Sequence, residues 1–226
     1  MTDGDPDTQP RDVLVTEFFA SAEHVMLDGP RDIGLVFIGD SFIAGYGDPK
    51  GLGWVNRVVG RTGHPDLDLT SYNLGVRDDT SAEVLARWRV EGMPRWEGRR
   101  ERRLVVGVGQ ADILKGMTTA RSRLNLANVL DDATARGIAA FVVGPPPTLD
   151  PVVNSQIEVL IEAQADVCSR RSVPYIDCFY PLREHDQWLS ELGAAPDRRH
   201  PGQAGYGLLA WLVLHGGWEH WLQIAP

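Results

Sequence analysis

Two short segments of the chain carry side chains that together can activate a hydroxyl group for attack on a carbonyl carbon. Ser41 ends the tripeptide GDS directly after a short apolar run, and glycines follow it closely. Asp197 and His200 lie three residues apart in DRRH, a spacing that lets one turn present both side chains on one face. A carboxylate that orients an imidazole, which in turn takes the proton of a serine, is an arrangement used for nucleophilic catalysis.

Each segment, taken alone, also has a purely structural interpretation. Serine is a frequent N-cap, so Ser41 alone is as consistent with capping the next helix as with attacking a substrate. A lone pair such as Asp197 and His200 more often forms a surface turn. The chemical interpretation therefore depends on a fold that brings the two segments together.

The elements that must position these residues follow from an alternation of strand-like and helix-like patterns. Five runs, mostly apolar or β-branched, predict parallel strands buried on both faces, although the second is more polar than the others. Segments between them predict helices. The predicted strands are Gly34–Ile38, Leu69–Asn73, Leu104–Val108, Ala139–Val143 and Pro174–Cys178, and the predicted helices are Trp54–Arg61, Ser81–Arg89, Arg121–Arg136, Val152–Arg171 and Ala204–His215.

This alternation predicts a fold of the α/β class. The expected architecture is a three-layer α/β/α sandwich around a five-stranded parallel sheet, of the flavodoxin-like type. Residues 31–226 form a single domain in this interpretation. Residues 1–30 form a polar, disordered tail and an extra helix over 12–26. Ligands of open parallel sheets bind beyond the carboxyl ends of the strands, which is where the sequence places Ser41.

Composition and charge argue against several classes of function. The net charge of −9 and the pI of about 5.1 disfavour non-specific binding to nucleic acid or to an anionic membrane. No apolar stretch approaches membrane-spanning length, and the acidic N-terminus is unlike a secretion signal, so we expect a cytoplasmic protein without membrane insertion. Cys168 and Cys178 are expected to be free buried thiols, although a disulfide between them stays open.

Motifs for nucleotides, metals and other nucleophiles are incomplete or absent in the sequence. Glycine-rich fragments do not complete a dinucleotide fingerprint, and no GxSxG elbow is present. No cluster of His, Cys, Asp or Glu has metal-ligand spacing. We therefore expect neither a metal nor a cofactor.

In their order and places along the chain, the motifs resemble the blocks of the GDSL, or SGNH, hydrolase family, over nearly all of residues 31–215. The resemblance implies the same sandwich fold, with Ser41 as the nucleophile and Asp197 and His200 completing a catalytic triad. It also implies an oxyanion hole that includes the backbone N–H groups of Ser41 and of Gly75, the last residue of YNLG.

One block departs from the family pattern. The family has an asparagine whose amide donates to the oxyanion, but GQAD places Ala111 there, and a methyl group donates no hydrogen bond. Loss of one such donor typically costs about 10²–10³ in kcat. Three interpretations stay open: the neighbouring Gln110 replaces the donor, backbone donors suffice for a slow or activated ester, or the pocket serves a different step.

The sequence therefore predicts a serine esterase that forms an acyl-enzyme on Ser41 and takes a small acyl or acetyl ester as its substrate. Self-association into a homo-oligomer stays open. An acyltransferase and a catalytically altered descendant that only binds ligands are the alternatives, and Ala111 is the reason for keeping them.

Overall fold

A computed structural model describes residues 29–224 of the chain. The tail and the helix predicted over 12–26 lie outside the described residues. None of the helices within 29–224 is both long enough and apolar enough to cross a membrane.

Five parallel strands form one sheet: β1 Arg31–Gly39, β2 Leu67–Gly75, β3 Glu101–Gly107, β4 Ala139–Val143 and β5 Tyr175–Ile176. Their order is β2-β1-β3-β4-β5, so all five predicted strands are present. The polar second run forms an edge strand, where one side of the backbone faces away from the sheet. After β2 the chain continues on the other side of β1, and such a switch point is where open α/β sheets bind ligands.

Helices cover both faces of the sheet and complete the predicted three-layer sandwich. The five predicted helices correspond to the second, third, fifth, sixth and eighth of the observed ones. The helices are α1 Ser41–Ala44, α2 Gly53–Val59, α3 Ser81–Gly92, α4 Gln110–Leu114, α5 Thr119–Ala135, α6 Pro151–Ser169, α7 Asp186–Ala194, α8 Gln203–Val213 and α9 Glu219–Leu222, with a 3₁₀ turn at Met93–Trp96 and a π-helical segment at Leu214–Trp218.

The central strand β1 is apolar on both faces because each face has its own core. Leu35 and Phe37 pack with apolar side chains of α2 and α8 on one side of the sheet. Val36 and Ile38 pack with side chains of α3 and α5 on the other side. All four side chains are fully buried, and this explains why the sequence shows a continuous apolar run instead of an alternating one.

Three glycines end the neighbouring strands β2, β1 and β3 in register, and we call Gly39, Gly75 and Gly107 the glycine floor. A Cβ atom on Gly75 would lie 2.1 Å from the backbone nitrogen of Ala44. A Cβ atom on Gly39 would lie 1.9 Å from the carbonyl oxygen of Gly107. The absence of side chains therefore lets α1 lie directly on the strand ends.

The two cysteines lie in the interior as free thiols, as the sequence predicts. Burial raises the pKa of Cys168 to about 12 and that of Cys178 even further above its ordinary value. Neither thiol is therefore activated as a nucleophile.

Candidate active site

Ser41 begins α1 and lies directly beyond the carboxyl end of β1. Asp40 is the N-cap of this helix, since its Oδ1 accepts the backbone N–H of Phe42 at 2.9 Å. The capping role that the sequence leaves open for Ser41 therefore belongs to its neighbour. Gly45 ends the helix in the left-handed conformation with φ 73°. The result is one helical turn that presents Ser41 at its start.

The hydroxyl oxygen of Ser41 accepts a hydrogen bond from the backbone N–H of Asp78 at 2.9 Å. Asp78 lies in the loop between β2 and α3 and has a φ of 62°, which is uncommon for a residue other than glycine. Such strained residues are concentrated at functional sites, where the surrounding structure holds them. Here the strained turn places a backbone donor beside the serine.

Asp197 and His200 form a hydrogen-bonded pair in the turn before α8. Nδ1 of His200 donates to Oδ2 of Asp197 at 2.7 Å, which leaves Nε2 as the acceptor nitrogen of the ring. Oδ1 of Asp197 accepts the backbone N–H groups of Arg199 and His200 at 3.0 and 3.1 Å. His200 is only 2% exposed, so the interpretation of this pair as a plain surface turn is wrong for the imidazole.

The electrostatics of the pair favour a carboxylate and a neutral imidazole near neutral pH. Burial opposes ionisation of Asp197, but hydrogen bonds from the side chain of His200 and from two backbone N–H groups outweigh it and lower its pKa to about 2. Burial also lowers the pKa of His200, although the hydrogen bond to Asp197 acts in the opposite direction. These are the protonation states that a general base and its orienting carboxylate require.

Ser41 and His200 both have hydrogen-bonding capacity that is unused within residues 29–224. Nε2 of His200 is buried and has no partner among residues 29–224. In the same range the Ser41 hydroxyl accepts the bond from Asp78 but donates none. The centroid of the His200 imidazole lies 5.1 Å from the ring centroid of Phe42 and 5.0 Å from that of Tyr46. The imidazole therefore packs against α1 and the turn that follows it.

Gly75 has a packing role in the structure, in contrast to the oxyanion role that the sequence predicts for it. Its N–H donates to Oδ1 of Asn73 at 2.9 Å, and Nδ2 of Asn73 donates to the carbonyl oxygen of Ile43 at 2.7 Å. The N–H of Gly75 is therefore already engaged in fastening α1 to the end of β2. The backbone donor that reaches the Ser41 oxygen is that of Asp78, three residues further along the chain.

The departure at Ala111 is not compensated by the side chain that the sequence offers. Ala111 is buried in α4, and Gln110 beside it is buried as well. Nε2 of Gln110 donates to the carbonyl oxygen of Pro146 at 2.9 Å, so this amide is held by the proline-rich loop after β4. Oδ1 of Asp112 accepts the backbone N–H of Ser81 at 2.7 Å and fixes α4 to the start of α3.

Arg199 belongs to the site, although sequence reasoning did not identify it. Its Nη2 donates to Oδ1 of Asp78 at 2.8 Å. Asp78 therefore contacts Ser41 through its backbone and Arg199 through its carboxylate. The only signal in the sequence was the arginine pair of DRRH, which does not reveal which arginine turns inward.

A cleft of about 510 Å³ opens beside the Asp197–His200 pair. Polar residues such as Asp48 and Glu191 and apolar ones such as Pro196 line it, so it suits a ligand of mixed polarity. In the described part of the chain, no group of three or more His, Cys, Asp or Glu side chains is placed to hold a metal ion.

Comparison with curated proteins gives one similar relative. The chain is 32% identical to Esterase TesA of Pseudomonas aeruginosa over 111 residues, which are 49% of this chain and 53% of that protein. The chain thus spans about half the length of the curated relative that it matches. A crystal structure of TesA is similar with a TM-score of 0.64 and 25% identity, over 81% of this chain and 97% of that one.

Structures with lower identity share the fold. Axe2, an acetylxylan esterase from Geobacillus stearothermophilus, has a TM-score of 0.68 and 20% identity over 83% of this chain and 94% of its own. A lipase/acylhydrolase from Enterococcus faecalis has a TM-score of 0.63 and 23% identity over 81% and 94%. The predicted α/β sandwich is therefore confirmed. The family model that matches residues 37–208 includes the Ser41, Asp197 and His200 segments, and the chain belongs to the GDSL-like lipase/acylhydrolase family.

Proposed function

We propose that the protein hydrolyses a small acyl ester, with Ser41 as the nucleophile, His200 as the general base and Asp197 as the carboxylate that orients the imidazole. The observation that carries the proposal is the buried imidazole, which is fixed at Nδ1, packs against Phe42 of α1 and has no partner for Nε2 among the residues that the structure describes. A buried polar atom without a partner costs free energy, and a catalytic role is one explanation for its retention. Membership of the family and the similarity to Esterase TesA support an ester as the substrate.

The reaction would begin with a rotation of the Ser41 side chain from the N–H of Asp78 toward Nε2 of His200. Catalytic hydrogen bonds are often long or misaligned before substrate binds, so the resting geometry is compatible with this step. As Oγ bonds to the carbonyl carbon, its proton moves to Nε2 and the π electrons of the carbonyl move to its oxygen. The ionised Asp197 stabilises the imidazolium that results.

The intermediate would then collapse to an acyl-enzyme on Ser41. The imidazolium of His200 returns its proton to the departing alcohol, and a water molecule repeats the attack with the same base. When Oγ leaves the N–H of Asp78, that donor becomes available for the oxyanion, together with the N–H of Ser41. Replacement of the Ser41 oxygen by the oxyanion keeps the N–H of Asp78 hydrogen-bonded through the cycle.

The space around the nucleophile supports a small acyl group. Asp40 and Phe42, which flank Ser41, line a cavity of only about 20 Å³ beneath α1. The larger cleft beside His200 is bordered by exposed residues such as Pro49 and Pro196, so water has access to the cleft. This access favours hydrolysis over transfer of the acyl group to another acceptor.

Labelling with a fluorophosphonate, read by intact mass, tests the proposal on folded protein. We expect one adduct on the wild type and none on Ser41→Ala. The matched control is Ser155→Ala, because Ser155 is an exposed serine on α6. It should label like the wild type. The same three proteins are then assayed with p-nitrophenyl acetate and with a longer acyl ester, and only Ser41→Ala should lose the reaction with the acetate.

Two outcomes would contradict the proposed function. Labelling that survives in Ser41→Ala would place the reactive hydroxyl elsewhere. An absence of labelling and of ester hydrolysis in a wild type whose fold is verified by circular dichroism would show that the serine is not activated. A rate that rises steadily with acyl length would contradict the preference for a small acyl group.

A further inference from the structure

The following inference rests on the proposed esterase activity and concerns the side-chain donor of its oxyanion hole. A tetrahedral intermediate carries a negative oxygen, which preorganised hydrogen-bond donors stabilise. The backbone N–H groups of Ser41 and Asp78 are two donors in the proposed reaction, but the methyl group of Ala111 supplies none, and the amide nitrogen of Gln110 is engaged by Pro146. A side-chain donor must therefore come from another element of the fold.

Arg199 is held next to the nucleophile by one shared residue. The backbone N–H of Asp78 donates to Oγ of Ser41 at 2.9 Å, and the carboxylate of Asp78 accepts Nη2 of Arg199 at 2.8 Å. Arg199 also directly precedes His200, and its own N–H is fixed by Oδ1 of Asp197 at 3.0 Å. Arg199 is thus held at two places, by its backbone in the turn that carries His200 and by its guanidinium on the loop that contacts Ser41.

The guanidinium retains an unused donor. Nε of Arg199 is buried and has no partner within residues 29–224, although 27% of the side chain is exposed. A buried N–H of a charged group without an acceptor is costly, more so than a neutral one. A planar guanidinium held in place by Asp78 is also preorganised, since its donors point in fixed directions.

The charge of Arg199 acts on the groups that flank the nucleophile. It lowers the pKa of His200 on one side and opposes the raised pKa of Asp40 on the other, beside the larger effects of burial on both. A positive charge that influences both neighbours of Ser41 lies close enough to influence an oxyanion that forms at the same place.

We propose that Arg199 is a catalytic residue whose Nε–H donates to the oxyanion, in the role that an amide side chain at position 111 would otherwise fill. An arginine side chain carries a permanent positive charge in proteins. It transfers no proton, and its contribution is a charge-assisted hydrogen bond that strengthens as the carbonyl oxygen becomes negative. The carboxylate of Asp78 keeps the guanidinium in place, and the backbone N–H groups of Asp78 and Ser41 provide the other donors.

Steady-state kinetics with p-nitrophenyl acetate on four variants test this role. We expect Arg199→Gln to lose about 10²–10³ in kcat with little change in KM, because the donor acts on the transition state. Ala111→Asn should change the kcat of the wild type little, but it should raise the kcat of Arg199→Gln at least tenfold. Arg198→Gln is the matched control, since this neighbouring arginine is exposed and has no ion pair in the part of the chain described. It should retain the wild-type kcat.

A purely structural role of Arg199 would give a different pattern. Loss of kcat in Arg199→Gln without any rescue by Ala111→Asn would overturn the proposal, and so would an unchanged kcat. If Arg199→Gln does not fold, Arg199→Lys replaces it, because lysine keeps the charge near Asp78 and lacks the Nε–H of the guanidinium plane. We expect that variant to lose kcat as well, and full activity would overturn the proposal. Failure of the esterase proposal is seen separately, as activity that persists in Ser41→Ala.

Discussion

The backbone N–H of Asp78 lies 2.9 Å from the hydroxyl oxygen of Ser41, although 37 residues separate the two in the chain. The contact exists because β1 and β2 are parallel neighbours, so the loops after them meet at the same edge of the sheet. The carboxylate of the same residue binds Arg199, which extends the contact to the turn of the Asp197–His200 pair. One loop residue thus links the three segments from which the candidate site is built.

Asp197→Asn tests the orienting role of the carboxylate. The amide is able to accept one backbone N–H, but it does not stabilise an imidazolium and it favours the wrong tautomer of His200. We expect kcat for ester hydrolysis to fall by about 10³–10⁴ with the fold retained. Asp186→Asn, at the exposed start of α7, is the control and should leave kcat unchanged. A loss below tenfold for Asp197→Asn would argue that His200 does not depend on this partner.

The pH profile of kcat/KM tests the state of His200. Burial lowers the pKa of this imidazole below its ordinary value of 6.5, and the base is active only when neutral. Activity should therefore persist below pH 6.5 and fall only as the lowered pKa is passed. Arg199→Gln removes a positive charge that lowers the same pKa, so its acid limb should move to higher pH. A wild-type limb above pH 6.5 would contradict this assignment.

Asp40 predicts a pH dependence of stability. Burial, aided by the charges of Asp112 and Asp78, raises its pKa from 3.8 to about 7. The folded state then binds more protons than the unfolded state between these values, so the contribution of Asp40 to stability is complete below pH 4 and is lost as pH rises through 7. Asp40→Asn keeps an N-cap and removes the titration.

Urea unfolding of Asp40→Asn and wild type at pH 4, 6 and 8 measures this effect. As pH rises, the free energy of unfolding of Asp40→Asn should increase relative to that of the wild type. A difference that stays constant across the three pH values would show that the carboxyl of Asp40 titrates alike in the folded and unfolded chain.

Gly75→Ala tests the glycine floor. The new methyl group would lie 2.1 Å from the backbone nitrogen of Ala44, so α1 must move away from the end of β2. We expect a loss of about 1–3 kcal/mol in the free energy of unfolding, typical of overpacking, together with a marked loss of kcat because Ser41 moves with α1. Gly63→Ala is the matched control, since its Cβ meets no heavy atom within 4 Å. Wild-type stability and activity in Gly75→Ala would contradict the packing described.

The strands and longer helices could be predicted because their information is local. Val36 and Ile38 lie in a continuous apolar run, which indicates a strand buried on both faces. Both side chains are fully buried in the structure. The turn α1 gives no such signal, because four residues do not establish a helical period. Residue preference therefore leaves a capping role open for Ser41, whereas the geometry assigns the N-cap to Asp40.

The parts of the site that could not be predicted depend on contacts between distant loops. The segment YNLGVRDD offers several backbone N–H groups. Only the folded structure, with β1 and β2 in register, shows that the N–H of Gly75 is engaged and that the N–H of Asp78 reaches Ser41. The orientation of Arg199 depends on the carboxylate of Asp78, 121 residues away. The Asp197–His200 hydrogen bond, in contrast, lies within one turn, and the spacing of three residues allows both side chains to lie on one face.

The helix that carries Ser41 is too short to be stable by itself, because the hydrogen bonds of a single turn do not repay the entropy of nucleation. Its order comes from the strand ends beneath it and from the Asn73 side chain that fastens it. Phe42 and Ile43 of this turn also belong to the core on the side of α2 and α8, so local opening at this edge would disturb that core while the core on the other face of the sheet stays packed. We expect amide hydrogens of α1 to exchange faster than those of β1 and β3, and heat inactivation to precede global unfolding.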